Sequence, residues 1–173
     1  MSLLDRFRAP PAFETGVLMV CMGNICRSPM AEAVLRTKLV HAGLERRVRV
    51  ASAGTHGERG SPPDERAVAV AARRGYDLSG IRASRLRDAD FDRFDLLLAM
   101  DEDNLAQLRR RCPAGLYERV RLLLEVAPRT DDVREVPDPY YGAVQGFEHV
   151  LDLLEPACDL LVIHLRQRLV GGG

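Results

Sequence analysis

The chain of 173 residues is 46% apolar and 29% charged, with 25 basic and 25 acidic side chains and no formal net charge. At roughly 150 residues per domain it has room for one domain, and a chain of this size hides about 70% of its unfolded surface without a disulfide or metal staple. The charge balance argues against a general nucleic-acid binder, which carries a basic excess, and against an acidic disordered tail; no apolar run reaches the roughly 18 residues of a membrane span.

Residues 1–15 read as an N-terminal tail. Leu3, Leu4 and Phe7 are interrupted by Asp5, Arg6, Arg8 and Pro10-Pro11, and no apolar stretch of about 7–15 residues follows, so no signal peptide is predicted. Cys21, Cys26, Cys112 and Cys158 are too sparse for a disulfide framework. They suggest reduced thiols and a cytoplasmic protein, with unconventional secretion left open. The domain is expected over 16–170, and 171–173, three glycines, as a flexible end.

Within the domain two periods alternate. Val17 to Cys21 is an unbroken apolar run, as in a strand buried on both faces. Pro29 to Ala42 carries Ala31, Leu35, Leu39 and Ala42 on one helical stripe, closed by Gly43. Arg47 to Ser52 alternates strictly, the mark of an edge strand with one wet face. Pro63 to Arg74 is a second helix, opened by prolines and closed by Gly75. Phe94 to Met100 reads as a central strand, Asp101 to Arg111 as the next helix and Val120 to Leu124 as a fourth strand. Phe147, Val150, Leu151, Leu154, Cys158, Leu161 and Leu165 mark a long C-terminal helix, which Pro156 is expected to kink. Strands alternating with helices give a parallel sheet with right-handed crossovers, whose ligands bind beyond the carboxyl ends of the strands.

Two segments fall at that end. Cys21-Met22-Gly23-Asn24-Ile25-Cys26-Arg27-Ser28-Pro29 joins the first strand to the first helix. A loop of this length can turn successive backbone N–H groups inward as an anion nest. Gly23 permits a positive φ, the following helix aims its positive end at the nest, and Arg27 can grip a phosphoryl group with two parallel hydrogen bonds. In that field a Cys21 thiol is readily ionised, and the Ser28 hydroxyl is placed to donate to it. Cys21 is then a nucleophile toward phosphorus, with the loop supplying charge stabilisation. The plainer reading makes Cys21 a small apolar strand end, Arg27 a solvated side chain and Ser28 an N-cap, a role it keeps in either case. The coincidence of thiol, glycine, arginine and serine at one strand-to-helix turn favours the chemical reading. A nucleotide-binding loop is ruled out because the Gly-Lys-Ser/Thr ending is missing. Zinc is discounted, since Cys21 and Cys26 lack a second pair at finger spacing.

A cysteine displaces phosphate from a phenol efficiently only if the leaving oxygen is protonated, a service worth about 10²–10⁴ in rate. Pro137-Asp138-Pro139-Tyr140-Tyr141-Gly142 offers one acid in a loop stiffened by two prolines. Tyr140 and Tyr141 could wall a pocket for an aromatic substrate. The plainer reading is a turn that Asp138 caps.

These residues resemble the low-molecular-weight protein tyrosine phosphatases. The likeness is carried by 20–32 and by Asp138-Pro139-Tyr140, more weakly by Ser52-Ala53-Gly54-Thr55 and 100–105, and it spans 17 to about 168. The resemblance implies a three-layer α/β fold, a four-stranded parallel sheet with helices on both faces, of the phosphotyrosine phosphatase I-like type. It implies Cys21 as nucleophile, Arg27 as clamp and Asp138 as acid and then base. Met22, Gly23, Asn24, Ile25, Cys26, Arg27 and Ser28 would bind phosphate, with Asn24 holding the loop's shape and Ser28 and Ser52 in its network. It further implies Cys26 as redox partner of the nucleophile, no cofactor, no metal, a phosphotyrosine-containing protein as substrate, a cognate tyrosine kinase acting on Tyr140 or Tyr141, and a monomer or weak dimer. His56 stands where members place an aromatic specificity residue, and Ile81 where many have histidine. Protein arginine phosphatases and arsenate reductases resemble the same fold. Ile25, where the former tend to have threonine, favours a phenolic phosphate, and Cys112 and Cys158 are too far apart in sequence for the latter's thiol relay. A non-catalytic phosphate-binding module is a third alternative, one that would not need Cys21 and Asp138 together.

Overall fold

The computed structural model describes residues 12–126 and 131–172; residues 1–11 of the tail expected over 1–15, and the last glycine, lie outside the described residues, and Thr15 already belongs to the first strand. The first strand, β1 (Thr15–Cys21), is buried along its whole length. Val17, Met19 and Cys21 enter one core while Leu18 and Val20 enter another, which is why its sequence is apolar at every step rather than at alternate ones. β2 (Val48–Gly54), β3 (Leu96–Ala99) and β4 (Val120–Leu122) complete a parallel sheet in the order β2-β1-β3-β4. The alternating strand is at an edge, as its pattern predicts.

Helices cover both faces. α1 (Arg27–His41), α2 (Glu65–Arg73) and α6 (Val144–Gly171) supply the larger core around Met30, Leu35, Phe147 and Leu154. α3 (Asp90–Arg93) and α4 (Glu102–Arg111) pack Phe91, Leu105 and Leu108 against the opposite face. A short α5 (Leu123–Val126) takes over the end of the run expected to be all strand, leaving β4 with three residues.

Two local expectations need correction. α1 begins at Arg27, so Ser28 lies inside its first turn and makes no cap; Cys26 is the N-cap residue and has no side-chain cap bond. Pro29 fits there because first-turn N–H groups have no helical partner to lose. α1 is not a simple amphipathic helix: residues 27–35 are all buried, Glu32 included. α6 carries Pro156 inside one continuous helix. Pro156 is exposed, so the backbone carbonyl one turn earlier that loses its partner sits on the wet side of the helix. The helix also extends to Gly171, the first of the three glycines.

The chain crosses from β1 to β2 in one direction and from β3 to β4 in the other. The sheet therefore changes direction between β1 and β3, and a crevice opens at their carboxyl ends.

Candidate active site

Cys21 ends β1 at that crevice with 2% exposure. The loop after it is held from outside. Thr55 N–H donates to Cys21 O at 2.9 Å, His56 N–H to Met22 O at 2.8 Å and Asp64 N–H to Ile25 O at 2.8 Å. In a trans peptide N–H and C=O point in opposite directions. Tying down those three carbonyls therefore turns the N–H groups of Met22, Gly23 and Cys26 the other way, away from their tethers. Gly54 and Gly57 make this contact possible: a Cβ on Gly54 would sit 2.7 Å from Met22 O, and one on Gly57 2.8 Å from Gly23 O.

The loop's left-handed residue is Asn24 at φ +56°, not Gly23 as the sequence suggests. Asparagine tolerates that region, and here its side chain is fully engaged. Nδ2 donates to Ser28 Oγ at 2.8 Å, and Oδ1 accepts from Ser84 N–H at 2.9 Å. With the Asn24 amide donating to it, the Ser28 hydroxyl has its own proton for Cys21 Sγ, 2.9 Å away. Ser28 is thus the sulfur's hydrogen-bond partner, as expected, without the cap role also expected of it. Ile81 packs against the larger core, and the Ser84 backbone supports Asn24.

Arg27 is 2% exposed. Its Nη1 donates to Asp101 Oδ2 at 2.5 Å and to Val136 O at 3.1 Å. A guanidinium has five N–H donors. The two on Nη1 are spent, so Nε and Nη2 present one edge of the fork. Burial works against its charge, but the hydrogen bond it donates to Asp101 and the fields of Cys21, Asp101 and Asp138 outweigh it and raise its pKa. Asp138 Oδ2 stands 3.6 Å from Nη2.

Asp101 is the residue that sequence reasoning passed over. Its other oxygen accepts from Asn104 N–H at 2.8 Å, capping α4, so one carboxylate fixes both a helix start and the buried arginine. An acid directly after the apolar run of β3, at the carboxyl edge of a central strand, was the available signal.

Cys21, Met22, Gly23, Ile25, Cys26, Arg27, His56, Gly57, Asp138, Tyr140 and Tyr141 line one cavity of about 180 Å³. Every predicted cleft residue is there. Asn24 and Ser28 are buried behind it. Ser52 is more remote, its hydroxyl donating to the buried Glu32. His56 is exposed at the rim, its Nδ1 3.0 Å from Thr55 Oγ1. Tyr140 and Tyr141 meet edge to face at 4.9 Å. Burial, then the charges of Asp64, Cys21 and Asp138, push the Cys26 thiol up to about 12.

A cavity over a buried thiol, floored by backbone N–H groups and one buried arginine and faced by a single carboxyl, on a parallel α/β sheet, defines a phosphoryl-handling enzyme class with a cysteine at its centre. Residues 16–170 match the family model for low molecular weight phosphotyrosine protein phosphatases. The chain belongs to that family. It is 43% identical to a low molecular weight protein-tyrosine-phosphatase of Streptomyces coelicolor, over 90% of this chain and 96% of that one. The structure of YfkJ from Bacillus subtilis superposes with a TM-score of 0.84 at 35% identity, covering 91% of this chain and 98% of that one. The YwlE arginine phosphatase of Geobacillus stearothermophilus is more distant, at 28% identity and TM-score 0.79 over 92% and 97%.

Proposed function

We propose that this chain hydrolyses phosphotyrosine in proteins by way of a phosphocysteine. Cys21 Sγ attacks phosphorus while the P–O bond to the tyrosine breaks, and Asp138 gives its proton to the departing phenol oxygen. Asp138, now a carboxylate, takes a proton from the water that attacks the phosphocysteine. Free phosphate leaves and the Cys21 thiolate is restored. The loop N–H groups and the free edge of Arg27 hold the transferring oxygens. The observation that carries this is the shared cavity: sulfur, arginine fork and a single carboxyl converge on about 180 Å³ walled by Tyr140 and Tyr141.

Arginine phosphatase is the competing activity. Ile25 lines the cavity without a polar group, which suits a flat phenyl ring better than a guanidinium that seeks hydrogen-bond acceptors. The test compares kcat/KM for phosphotyrosyl and phosphoarginyl peptides. Phosphotyrosine should be preferred by at least about tenfold, a difference of about 1.4 kcal/mol in transition-state binding; preference for phosphoarginine overturns the assignment. A thiol relay of the arsenate reductase kind is disfavoured because Cys158 and Cys112 sit in opposite cores, on either side of the sheet.

The finer features follow from the same reading. Cys26, kept protonated, acts as a resolving thiol only after peroxide has converted Cys21 to a sulfenic acid. The Cys26 sulfur then attacks the Cys21 sulfur and water leaves. Tyr141, 94% exposed, is open to a cognate tyrosine kinase. One chain supplies the whole cavity lining, so a monomer or weak dimer suffices. All four cysteines are free thiols, which suits the cytoplasm, and among the described residues no helix is long and apolar enough to cross a membrane.

A further inference from the structure

We infer that Arg66 is a positioning residue for the acid: it locks the loop carrying Asp138 to the same segment that anchors the phosphate loop. The inference rests on the reading of Asp138 as proton donor. Within the acid loop only Pro139 is buried. Asp138, Tyr140, Tyr141 and Gly142 are all exposed, and within the loop Tyr140 N–H reaches Asp138 Oδ1 at 3.1 Å and Gly142 N–H reaches Pro139 O at 3.1 Å. Arg66, on α2, reaches across from outside the cavity. Its Nη2 donates to Tyr140 O at 2.9 Å and its Nη1 to Gly142 O at 3.2 Å. The guanidinium also lies 5.7 Å from the centre of the Tyr140 ring and 4.7 Å from that of Phe147.

The other edge of the same guanidinium is clamped by Asp64, with Nε to Oδ1 at 3.0 Å and Nη2 to Oδ2 at 2.9 Å. Asp64 caps α2 through Arg66 N–H at 2.9 Å, and its own N–H holds Ile25 O at 2.8 Å. A continuous path therefore runs from the loop beneath the phosphoryl group, through Asp64 and Arg66, to the backbone two and four residues after Asp138. General acid catalysis requires the carboxyl within hydrogen-bond reach of the leaving oxygen, and a misplacement of about 1 Å removes much of its benefit. Arg66 touches neither phosphate nor leaving group, so it acts only through Asp138.

The test uses leaving groups. Phenyl phosphate needs a proton on its departing oxygen; 2,4-dinitrophenyl phosphate releases a stable phenolate and does not. kcat/KM is measured for both across pH in wild type, Arg66→Ala, Arg66→Lys, Asp138→Asn and the double variant Arg66→Ala/Asp138→Asn. Arg66→Ala should lose about tenfold or more on phenyl phosphate, a fraction of the 10²–10⁴ carried by a general acid, and less than about threefold on the dinitrophenyl ester. Lysine, with a compact ammonium in place of the fork, should recover part of the loss. In the Asp138→Asn background Arg66→Ala should have almost no further effect on phenyl phosphate, since residues acting as one unit are non-additive. Equal losses on both esters, or losses that multiply in the double variant, overturn the inference and leave Arg66 a support of the fold. Activity on the dinitrophenyl ester reports in the same assay whether the variant is folded. Should Asp138→Asn slow both esters equally, the reading of Asp138 as acid fails first, independently of Arg66.

Discussion

The two loops that meet over the cavity are built in opposite ways. Residues 21–28 are tied at three carbonyls, at the Asn24 side chain and at the Arg27 guanidinium, and Cys21, Asn24, Cys26, Arg27 and Ser28 are buried. Residues 138–142 are largely exposed and take their position from two arginines belonging to other elements, Arg27 and Arg66. An anion nest must be complete before substrate arrives, because its worth lies in dipoles that need no reorganisation. A general acid must approach a leaving group whose position depends on the substrate, so a lightly held loop set by outside contacts serves it. The difference predicts that lesions in the first loop remove all turnover, while lesions in the second depend on the leaving group.

The largest effect should come from the sulfur. Cys21→Ser keeps the hydrogen bond to Ser28 but replaces a strong nucleophile with an alcohol, so turnover should vanish while circular dichroism and inorganic phosphate binding, read by calorimetry, persist. Asp138→Asn should next lose 10² or more in kcat/KM for phenyl phosphate. Asp101→Asn strikes the first loop from behind. It removes the negative partner of a buried arginine, and breaking such a pair from one side costs about 3–5 kcal/mol, read as a lower urea midpoint together with weaker phosphate binding. Gly57→Ala adds a Cβ 2.8 Å from Gly23 O at a residue with φ +98°. It should destabilise by about 1–3 kcal/mol and raise KM for every phosphomonoester alike.

The smallest effect concerns Glu32, whose pKa burial raises, against the opposing pull of Ser52 and Arg36. A buried acid with a raised pKa stabilises the fold while protonated, and that contribution is lost as pH rises through the folded value. Glu32→Gln keeps a partner for Ser52 and cannot ionise. Melting temperature measured from pH 4.5 to 8 should therefore shift in favour of the variant as pH rises.

Much of this was legible in the residues. Periodicity gave all four strands and the principal helices, because a parallel sheet under two helical layers forces unbroken apolar runs such as 17–21 and 96–100. Cys21, Arg27 and Asp138 stood out because their chemistry is unusual for their loops. What stayed hidden were relations between distant segments. Asp101 lies 74 residues from Arg27, and Arg66 also 74 residues from Tyr140; nothing local marks either pair. The assignment of the left-handed turn to Gly23 followed the general rule for glycine, but Asn24 takes that conformation because its side chain is needed at Ser28 and Ser84. Glycine is required instead at Gly54 and Gly57, where another strand end presses on the loop.

The most direct test is to trap the intermediate. Asp138→Ala protein is mixed with a phosphotyrosyl peptide, quenched in acid, digested and examined by mass spectrometry. Removing the acid and base slows hydrolysis of the phosphocysteine, so one phosphoryl group should be found on the peptide containing Cys21 and be absent when Cys21→Ser is added to the same protein. A phosphoryl group on any other residue, or unimpaired turnover by Cys21→Ser, would contradict the account.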